Sequence, residues 1–178
     1  GLQWNKSTNF TLDATYAISN DWKVSAYYTQ TMQKLFMGHS TDYDGTVKDN
    51  SQTIGAGFSG SPFARVKMGG DLVSLRDTLG YGISPDAQIS AANQTALNQT
   101  GGLPDVKYNL LRLKLWGEYQ IDKKSTARLD YVYNRTFFNE WTYGYNGVPF
   151  AYSDNTTLGA KPLQSVNFFS ARYVYKFD

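Results

Sequence analysis

The 178-residue chain has a net charge of only +2, which is too small to indicate a nucleic-acid partner. It has no cysteine, which excludes disulfides, thiolate metal sites and covalent haem attachment, and no run of 18 apolar residues from which a membrane-spanning helix could form. Aromatic residues make up 16% of the chain and charged residues only 18%, a low share for a surface in water.

Apolar and polar residues alternate with a period of two along most of the chain, which predicts strands rather than helices. Seven segments show this alternation, at residues 10–18, 22–29, 53–59, 65–72, 111–121, 127–134 and 169–177. Short turns at 19–21, 60–62 and 122–124 alternate with long loops at 38–50, 79–105 and 141–162, for which no clear structure is predicted. The chain is therefore predicted to be all-β, with about seven antiparallel strands in a single segment, residues 1–178.

One face of the predicted strands carries charge, and the other carries none over the same spans. The charged face holds Lys23, Arg65, Lys67, Asp71, Arg112, Lys114, Glu118, Arg128, Asp130, Arg172 and Lys176, together with Asp13. The uncharged face holds Tyr16, Trp22, Leu113, Leu115, Tyr119, Leu129, Tyr131, Tyr173, Tyr175 and Phe177. Aromatic residues of this second set gather near both ends of the strands, with smaller apolar residues between them.

Two aromatic bands around an apolar middle are typical of the girdles at the two interfaces of a membrane. A soluble barrel would also alternate, but its core gives no reason to sort aromatic residues to the strand ends. Strands of about 9–11 residues, joined by short turns on one side and long loops on the other, are the habit of bacterial outer-membrane barrels. We therefore predict transmembrane strands in the bacterial outer membrane, with periplasmic turns and extracellular loops, the uncharged face in lipid and the charged face in a wet lumen.

The last strand, in FFSARYVYKFD, has aromatic residues at alternate positions up to Phe177. This resembles the C-terminal signal that the bacterial barrel-assembly machinery reads, with one departure, because Asp178 follows the last Phe. We expect that machinery to be a partner of the chain, along with the lipid bilayer.

The strand count is odd, whereas single-chain bacterial barrels have even counts. The chain also starts at Gly1 rather than at Met. From these two features we expect the chain to be the C-terminal portion of a larger barrel that does not close by itself, because open sheet edges are not tolerated in lipid.

Few residues are candidates for chemistry. His39, Ser40 and Asp42 are neighbours in the first long loop, where a solvated loop is a better interpretation than a catalytic triad, so the chain is not predicted to be an enzyme. Asp42 and Asp44, with Asp49, resemble the start of a calcium loop that lacks the downstream Glu. The glycines 55, 57, 69 and 70 are expected to ease strand curvature or to allow close approach of the backbone.

Four stretches carry a resemblance to a known family. They are RLKLWGEY, STARLDYVYNR, Trp141 with PFAYSDN, and the closing QSVNFFSARYVYKF. Over residues 103–178 they resemble the C-terminal region of the MtrB/PioB-type porins, the outer-membrane β-barrels that associate with decahaem cytochromes.

The resemblance implies a function for the lumen. Barrels of this type sheathe a periplasmic multihaem c-type cytochrome, so that electrons cross the outer membrane along its haems, often to a second cytochrome at the outer surface. The chain would then bind no cofactor, the haem being carried by the partner, and its lumenal cations would either hold water and pair with one another or meet haem propionates and an acidic cytochrome surface. The alternative is a general or anion-selective diffusion porin.

The assignment of the two faces can be tested by substitution. Leu113→Arg should destabilise the barrel by about 2–4 kcal/mol if the side chain lies near the middle of the bilayer, whereas Gln120→Lys should cost far less. Cysteines at Leu113, Leu115, Leu129 and Ala171 should react with a lipid-phase probe, and cysteines at Arg112, Lys114, Arg128 and Arg172 should not. Labelling of the second set instead would contradict the membrane interpretation.

Overall fold

A computed structural model describes residues 1–38, 43–100, 104–139, 144–145, 148–149, 151–156 and 162–177. Six long strands come first, β1 (Leu2–Ala17), β2 (Trp22–Met37), β3 (Tyr43–Phe63), β4 (Val66–Pro85), β5 (Val106–Gln120) and β6 (Ser125–Asn139), with helix α1 (Ala91–Thr100) between β4 and β5. A short hairpin of β7 (Gly144–Tyr145) and β8 (Val148–Pro149) precedes the last long strand, β9 (Leu163–Tyr175). None of the described helical residues form a helix with the length and hydropathy to cross a bilayer.

The seven long strands form one sheet in the order β1-β2-β3-β4-β5-β6-β9, and every neighbouring pair is antiparallel. The prediction of seven antiparallel strands is therefore confirmed. Short turns join β1 to β2, β3 to β4 and β5 to β6 at one end of the sheet, called the lower end below. The other connections lie at the upper end.

The strands are longer at the upper end than the sequence predicted. Residues 43–50, predicted as loop, belong to β3, and residues 79–85, also predicted as loop, belong to β4, where Tyr43 pairs with Pro85. The loop prediction for residues 79–105 also missed α1, and that for residues 141–162 missed β7 and β8. Apolar alternation marks the part of a strand that faces an apolar medium, whereas backbone pairing continues beyond that part. The alternation therefore underestimates the length of the strand.

The side chains in the upper part of the sheet join the strands through amides. Gln52 donates to the side-chain oxygen of Gln30 at 3.0 Å, and Gln30 donates to Asn50. Gln33 likewise donates to Asn5 at 3.1 Å. These polar contacts follow the pairing register across β1, β2 and β3, and they support the ladder where apolar packing is absent.

The register places the predicted sets of strand residues on opposite faces of the sheet. One row of partners runs Tyr16, Val24, Phe58, Gly70, Leu115, Tyr131 and Phe169, and all of its members are uncharged. Another row runs Lys67, Glu118, Arg128 and Arg172. The two sides are called the apolar face and the charged face below. That the apolar face meets lipid stays a prediction.

Three residues of the predicted sets lie outside the strands. Arg65, predicted on a strand, sits in the turn between β3 and β4 with a φ of 68°. Lys176 and Phe177 follow the end of β9, because the pairing with β6 ends at Tyr175 opposite Ser125. The Tyr175 and Phe177 rings still meet edge to face at 4.9 Å between centroids.

The sheet has almost no core. Among the described residues, Val73 is the one hydrophobic side chain that counts as buried, with 5% of its surface exposed. Tyr16, Leu129 and Phe169 on the apolar face are 71%, 67% and 75% exposed. A contiguous exposed apolar surface of this extent needs a covering medium, since soluble monomers rarely leave one in water.

The lower turn between β5 and β6 is held by the side chain of Asp122. Its carboxylate accepts hydrogen bonds from the backbone N–H groups of Lys124 at 2.7 Å and of Ser125 at 2.8 Å. The Lys124 N–H is the main cause that lowers the pKa of Asp122 below its ordinary value. The turn is therefore formed by local chemistry that the Asp-Lys-Lys sequence already contains.

Aromatic rings lie over glycines on the neighbouring strands. Tyr27 and Gly55 are register partners, and so are Trp116 and Gly69. A Cβ added at Gly55 would run into the Tyr27 ring, and one at Gly69 would lie 2.7 Å from the Trp116 ring. The expectation that these glycines allow a close approach is confirmed, and such aromatic–glycine pairs help fix strand register.

Replacement of Gly55 should therefore be costly. Gly55→Ala should destabilise the sheet by about 1–3 kcal/mol, because the methyl group displaces the Tyr27 ring. Gly117→Ala is the matched control, since nothing lies within 4 Å of a Cβ at that position, and it should be neutral or stabilise by about 0.4–1 kcal/mol. Urea unfolding in detergent micelles, followed by heat-modifiable gel mobility, measures both. Equal midpoints for the two variants would contradict the steric argument, and adding Tyr27→Ala should relieve Gly55→Ala.

Candidate functional site

The charged face is the candidate functional surface, and its cations outnumber its carboxylates. In its lower and middle parts the basic side chains are Lys23, Arg65, Lys67, Arg112, Lys114, Arg128, Arg172 and Lys176, and the carboxylates are Asp13, Asp71, Glu118 and Asp130, while Asp49 and Asp77 lie higher on the same face. The residues of the lower and middle parts lie on β1, β2, β4, β5, β6 and β9, or in the adjoining turns and ends. The surface as a whole is therefore positive.

Arg128 is the centre of the best-connected cluster on this face. Its Nε donates to both Asp130 carboxylate oxygens, at 3.1 and 3.0 Å, and its Nη2 donates to Oδ1 at 2.8 Å. Glu118 approaches Nη1 at 3.8 Å, and the guanidinium carbon lies 4.6 Å from the centre of the Trp116 ring. Because Trp116 in turn lies over Gly69, three neighbouring strands fix the orientation of this arginine.

The other cations of the face are less engaged. Lys67 is the register partner of Glu118, and Lys114 that of Asp71. Within the described part of the chain, no carboxylate comes within 4 Å of either amino group or of the Arg172 guanidinium. These cations therefore present their charge to whatever fills the space beside the face.

A pocket of about 510 Å³ opens at the lower end of the charged face. Its charged lining consists of Asp21, Arg65, Lys67, Glu118 and Lys176, with Gln120 and Thr126 among its polar members. Three of the five charged residues are basic. Four of the residues that the sequence predicted for the charged face are thus brought together at this rim, namely Arg65, Lys67, Glu118 and Lys176, and the first and last of them lie outside the strands.

The upper part of β4 is apolar on the charged face, which the sequence analysis missed. On β4 the odd-numbered residues from Val73 to Ile83 share the charged face, and all but Asp77 are apolar or aromatic. The even-numbered residues from Ser74 to Ser84 on the other face are polar or glycine. The polarity of the two faces therefore reverses between the lower and the upper part of the strand.

The same reversal occurs on β5 and β9, whereas β3 and β6 keep polar residues such as Ser51 and Thr136 at this level of the charged face. On β5 it falls between Leu110 and Leu111, and on β9 between Phe168 and Phe169. The apolar side chains above the reversal on the charged face are together called the inner apolar zone. They are Val73, Leu75, Leu79, Tyr81 and Ile83 of β4, Val106, Tyr108 and Leu110 of β5, and Val166 and Phe168 of β9. The signal in the sequence is the doubled apolar residue at each crossing point.

Two carboxyls lie within this zone. Asp77 and Asp49 are diagonal neighbours on the charged face of β4 and β3, and each has one buried carboxylate oxygen without a hydrogen-bond partner. Asp77 is more than ten residues from the lower turn, beyond the about 9–11 residues of a tilted spanning strand. Burial, with the hydrogen bond and negative charge of Asp49, raises the pKa of Asp77 to about 6. The pair can therefore share a proton at mildly acid pH.

The calcium hypothesis is not supported by the strand geometry. Asp42 lies outside the described residues, as do His39 and Ser40. Asp44 and Asp49 are both on β3, and their odd spacing puts them on opposite faces, so they cannot ligate one ion. The described residues contain no group of three or more potential ligands that could hold a metal.

The antiparallel strands, the short lower turns and the exposed apolar band define a class, that of the outer-membrane β-barrels. The profile of the family described as "Putative outer membrane beta-barrel porin, MtrB/PioB" matches residues 1–177. The chain belongs to this family, and its location is the bacterial outer membrane. The resemblance noted in residues 103–178 thus extends over nearly the whole chain. No curated protein matches it.

The arrangement around Arg128 leads to a spectroscopic prediction. In a background where Trp4, Trp22 and Trp141 are replaced by Phe, Arg128→Gln should increase acrylamide quenching of Trp116, because the guanidinium no longer covers the ring. Arg172→Gln removes the register partner of Arg128 and should leave quenching unchanged. Equal quenching in the parent and in Arg128→Gln would contradict the stacked arrangement.

Proposed function

We propose that this chain forms part of the wall of an outer-membrane barrel that sheathes a periplasmic multihaem cytochrome and so supports electron transfer across the membrane. The wall binds no haem itself, since the partner carries it, and it has no catalytic role. It excludes lipid from the haem chain and holds the cytochrome in position. A second cytochrome at the outer surface would receive the electrons.

The inner apolar zone is the observation that carries this proposal. A lumen that conducts water and small solutes is lined by polar side chains. Here Tyr108, Val166 and Phe168 of the inner apolar zone are exposed, and Leu75 and Leu110 are half-buried partners on the same face. Apolar side chains on the lumenal side of a barrel are best accounted for by a protein that packs against them.

The positive lower half fits the same partner. Haem propionates and acidic protein surfaces are anionic, and the cations of the lower half have few carboxylates to neutralise them. Exposed charge on a wall steers and orients a partner more than it adds affinity. The lower half would therefore attract and orient the cytochrome by charge at the periplasmic entrance. The upper half would pack against it through apolar contact nearer the outer surface.

The apolar face and the edge strand β9 indicate two other partners. The apolar face would meet the lipid bilayer, and β9 would be read by the barrel-assembly machinery, since its outward Phe169, Ala171 and Tyr173 are continued by Tyr175 and Phe177. Nucleic acid is not proposed as a partner, because the basic residues are divided between two faces and several levels of the sheet.

An anion-selective diffusion porin is the second candidate, and the surplus of cations on the charged face favours it. The two candidates differ in what fills the lumen. A porin requires an open, wet passage along its whole length, whereas a sheath requires close contact with a protein.

The affinity-tagged full-length barrel, purified from the outer membrane of its host in mild detergent, should elute with haem absorbance in a fixed ratio to protein. Leu75→Asn combined with Leu110→Asn should lower that ratio, because polar amides replace apolar contact in one cross-strand pair. Thr53→Asn combined with Thr136→Asn alters the flanking positions of the same row and should leave it unchanged.

Planar-bilayer conductance separates the two candidates in the same preparations. The sheath predicts little ion conductance while haem is bound. An unchanged haem ratio in the Leu75 and Leu110 variant would contradict packing at the inner apolar zone. Steady anion conductance by a preparation without haem would favour the porin.

A further inference from the structure

The apolar face ends, at its upper margin, in a row of basic side chains. Lys34 on β2 is the register partner of Lys6 on β1 and of Lys48 on β3, and all three lie on the apolar face of the sheet. Arg76, Lys107 and Arg135 occupy the same face on β4, β5 and β6. These six exposed residues, Lys6, Lys34, Lys48, Arg76, Lys107 and Arg135, are called the basic belt below.

The belt lies where a bilayer would end. A tilted transmembrane strand needs about 9–11 residues, which from the lower end of the sheet reaches about residue 8–10 on β1, 30–32 on β2, 74–76 on β4 and 133–135 on β6. Lys6 and Lys34 lie just beyond these limits, Arg76 and Arg135 lie at them, and Lys48 and Lys107 lie further beyond the corresponding limits of β3 and β5. Long basic side chains at this height reach the headgroup layer.

The lysines of the belt form no ion pair within the described part of the sheet, although the Asp105 carboxylate lies beside Gly80, the register partner of Lys48. Like charges directly opposite each other on adjacent strands are destabilising. Among the described residues, no carboxylate lies within 4 Å of the amino groups of Lys6, Lys34 or Lys48. Lys34 instead lies 5.6 Å from the Trp4 ring, which stacks on Phe36 at 5.8 Å. Three lysines in one row therefore favour an anion from outside the chain.

The two margins of the apolar face differ. Along the described strands, the lower margin of this face carries aromatic residues such as Tyr16, Trp22, Tyr119 and Tyr173, and no lysine or arginine. The register spreads the six cations over several residues of height, so a headgroup layer of finite thickness at the upper margin could meet them across six strands. A single dissolved ion would meet only one or two of them.

We propose that the basic belt binds the phosphate groups of the outer-leaflet glycolipid, lipopolysaccharide, and so anchors the wall at the outer surface of the membrane. Phosphates screen the three adjacent lysines, and the Trp4–Phe36 pair lies at the interface beside them. This inference rests on the assignment, within the proposed function, of the apolar face to lipid. It does not depend on what fills the lumen.

The test uses the full-length barrel in nonionic detergent, titrated with lipopolysaccharide and followed by native mass spectrometry. Lys34→Gln combined with Lys48→Gln should weaken binding of the glycolipid by about tenfold, because each lysine near an anionic lipid surface contributes to the free energy of binding. Lys123→Gln combined with Lys124→Gln removes the same charge from the lower turn and should bind as the parent does. Heat-modifiable mobility verifies that both variants are folded.

Dephosphorylated lipopolysaccharide and inorganic phosphate are the remaining probes. The parent should bind the dephosphorylated glycolipid more weakly than the Lys34→Gln, Lys48→Gln variant binds the intact one, because all six cations then lose their phosphate partners. Inorganic phosphate should not displace the intact glycolipid at millimolar concentration. Equal binding of the intact glycolipid by the parent and by the Lys34→Gln, Lys48→Gln variant would overturn the proposal. Full displacement of the intact glycolipid by inorganic phosphate would overturn it as well.

Failure of the proposal can be told from failure of the proposed function. Haem content, read in the same preparations, reports on the cytochrome and is not expected to change in either lysine variant. Lipid-phase labelling of cysteine at Leu113 but not at Arg112 reports on the face assignment. The opposite labelling pattern would overturn both the assignment and the belt.

Discussion

The need to pair every backbone donor and acceptor inside a bilayer is the constraint on which the rest of this structure depends. A strand cannot satisfy its own N–H and C=O groups, so each of the long strands is bonded to its neighbours over 13 to 21 residues. Once pairing is continuous, side chains must alternate between two faces. A single sheet then presents one set of side chains to each of two environments. Because no second layer of this chain covers either face, the sheet has almost no buried core.

The polarity of the two faces reverses with height along β4, β5 and β9. Near the lower turns the charged face is wet and the opposite face apolar, as at Lys114 and Leu115. Above Leu72 and Val73 the apolar side chains move to the charged face, and polar ones such as Ser74 replace them outside. If the lower part of the apolar face meets lipid, the strands continue beyond the lipid with a polar outer face. The proposed filled barrel accounts for the apolar side chains that these three strands carry on the inside.

Electrostatics and packing have separate parts in the wall. The Arg128 cluster is oriented by Asp130 and Trp116, and it keeps charge in a fixed place without contributing a core. Uncompensated cations lie both on the charged face and at the upper margin of the apolar face. In the proposals made above, the first set faces a protein and the second faces lipid headgroups. The sheet is therefore better understood as a boundary between partners than as an independently stable unit.

The sequence alone determined the strand class, the short turns and the division of residues such as Arg112 and Leu113 between two faces, because a period of two is a local property of an extended chain. It did not give the extension of β3 to Tyr43, since backbone pairing leaves no apolar pattern there. The pairing of Tyr27 with Gly55, the stacking of Arg128 on Trp116 and the row of Lys6, Lys34 and Lys48 were decided by tertiary structure. Each depends on which residues lie opposite one another, and register is fixed by the contacts between strands rather than within any one of them.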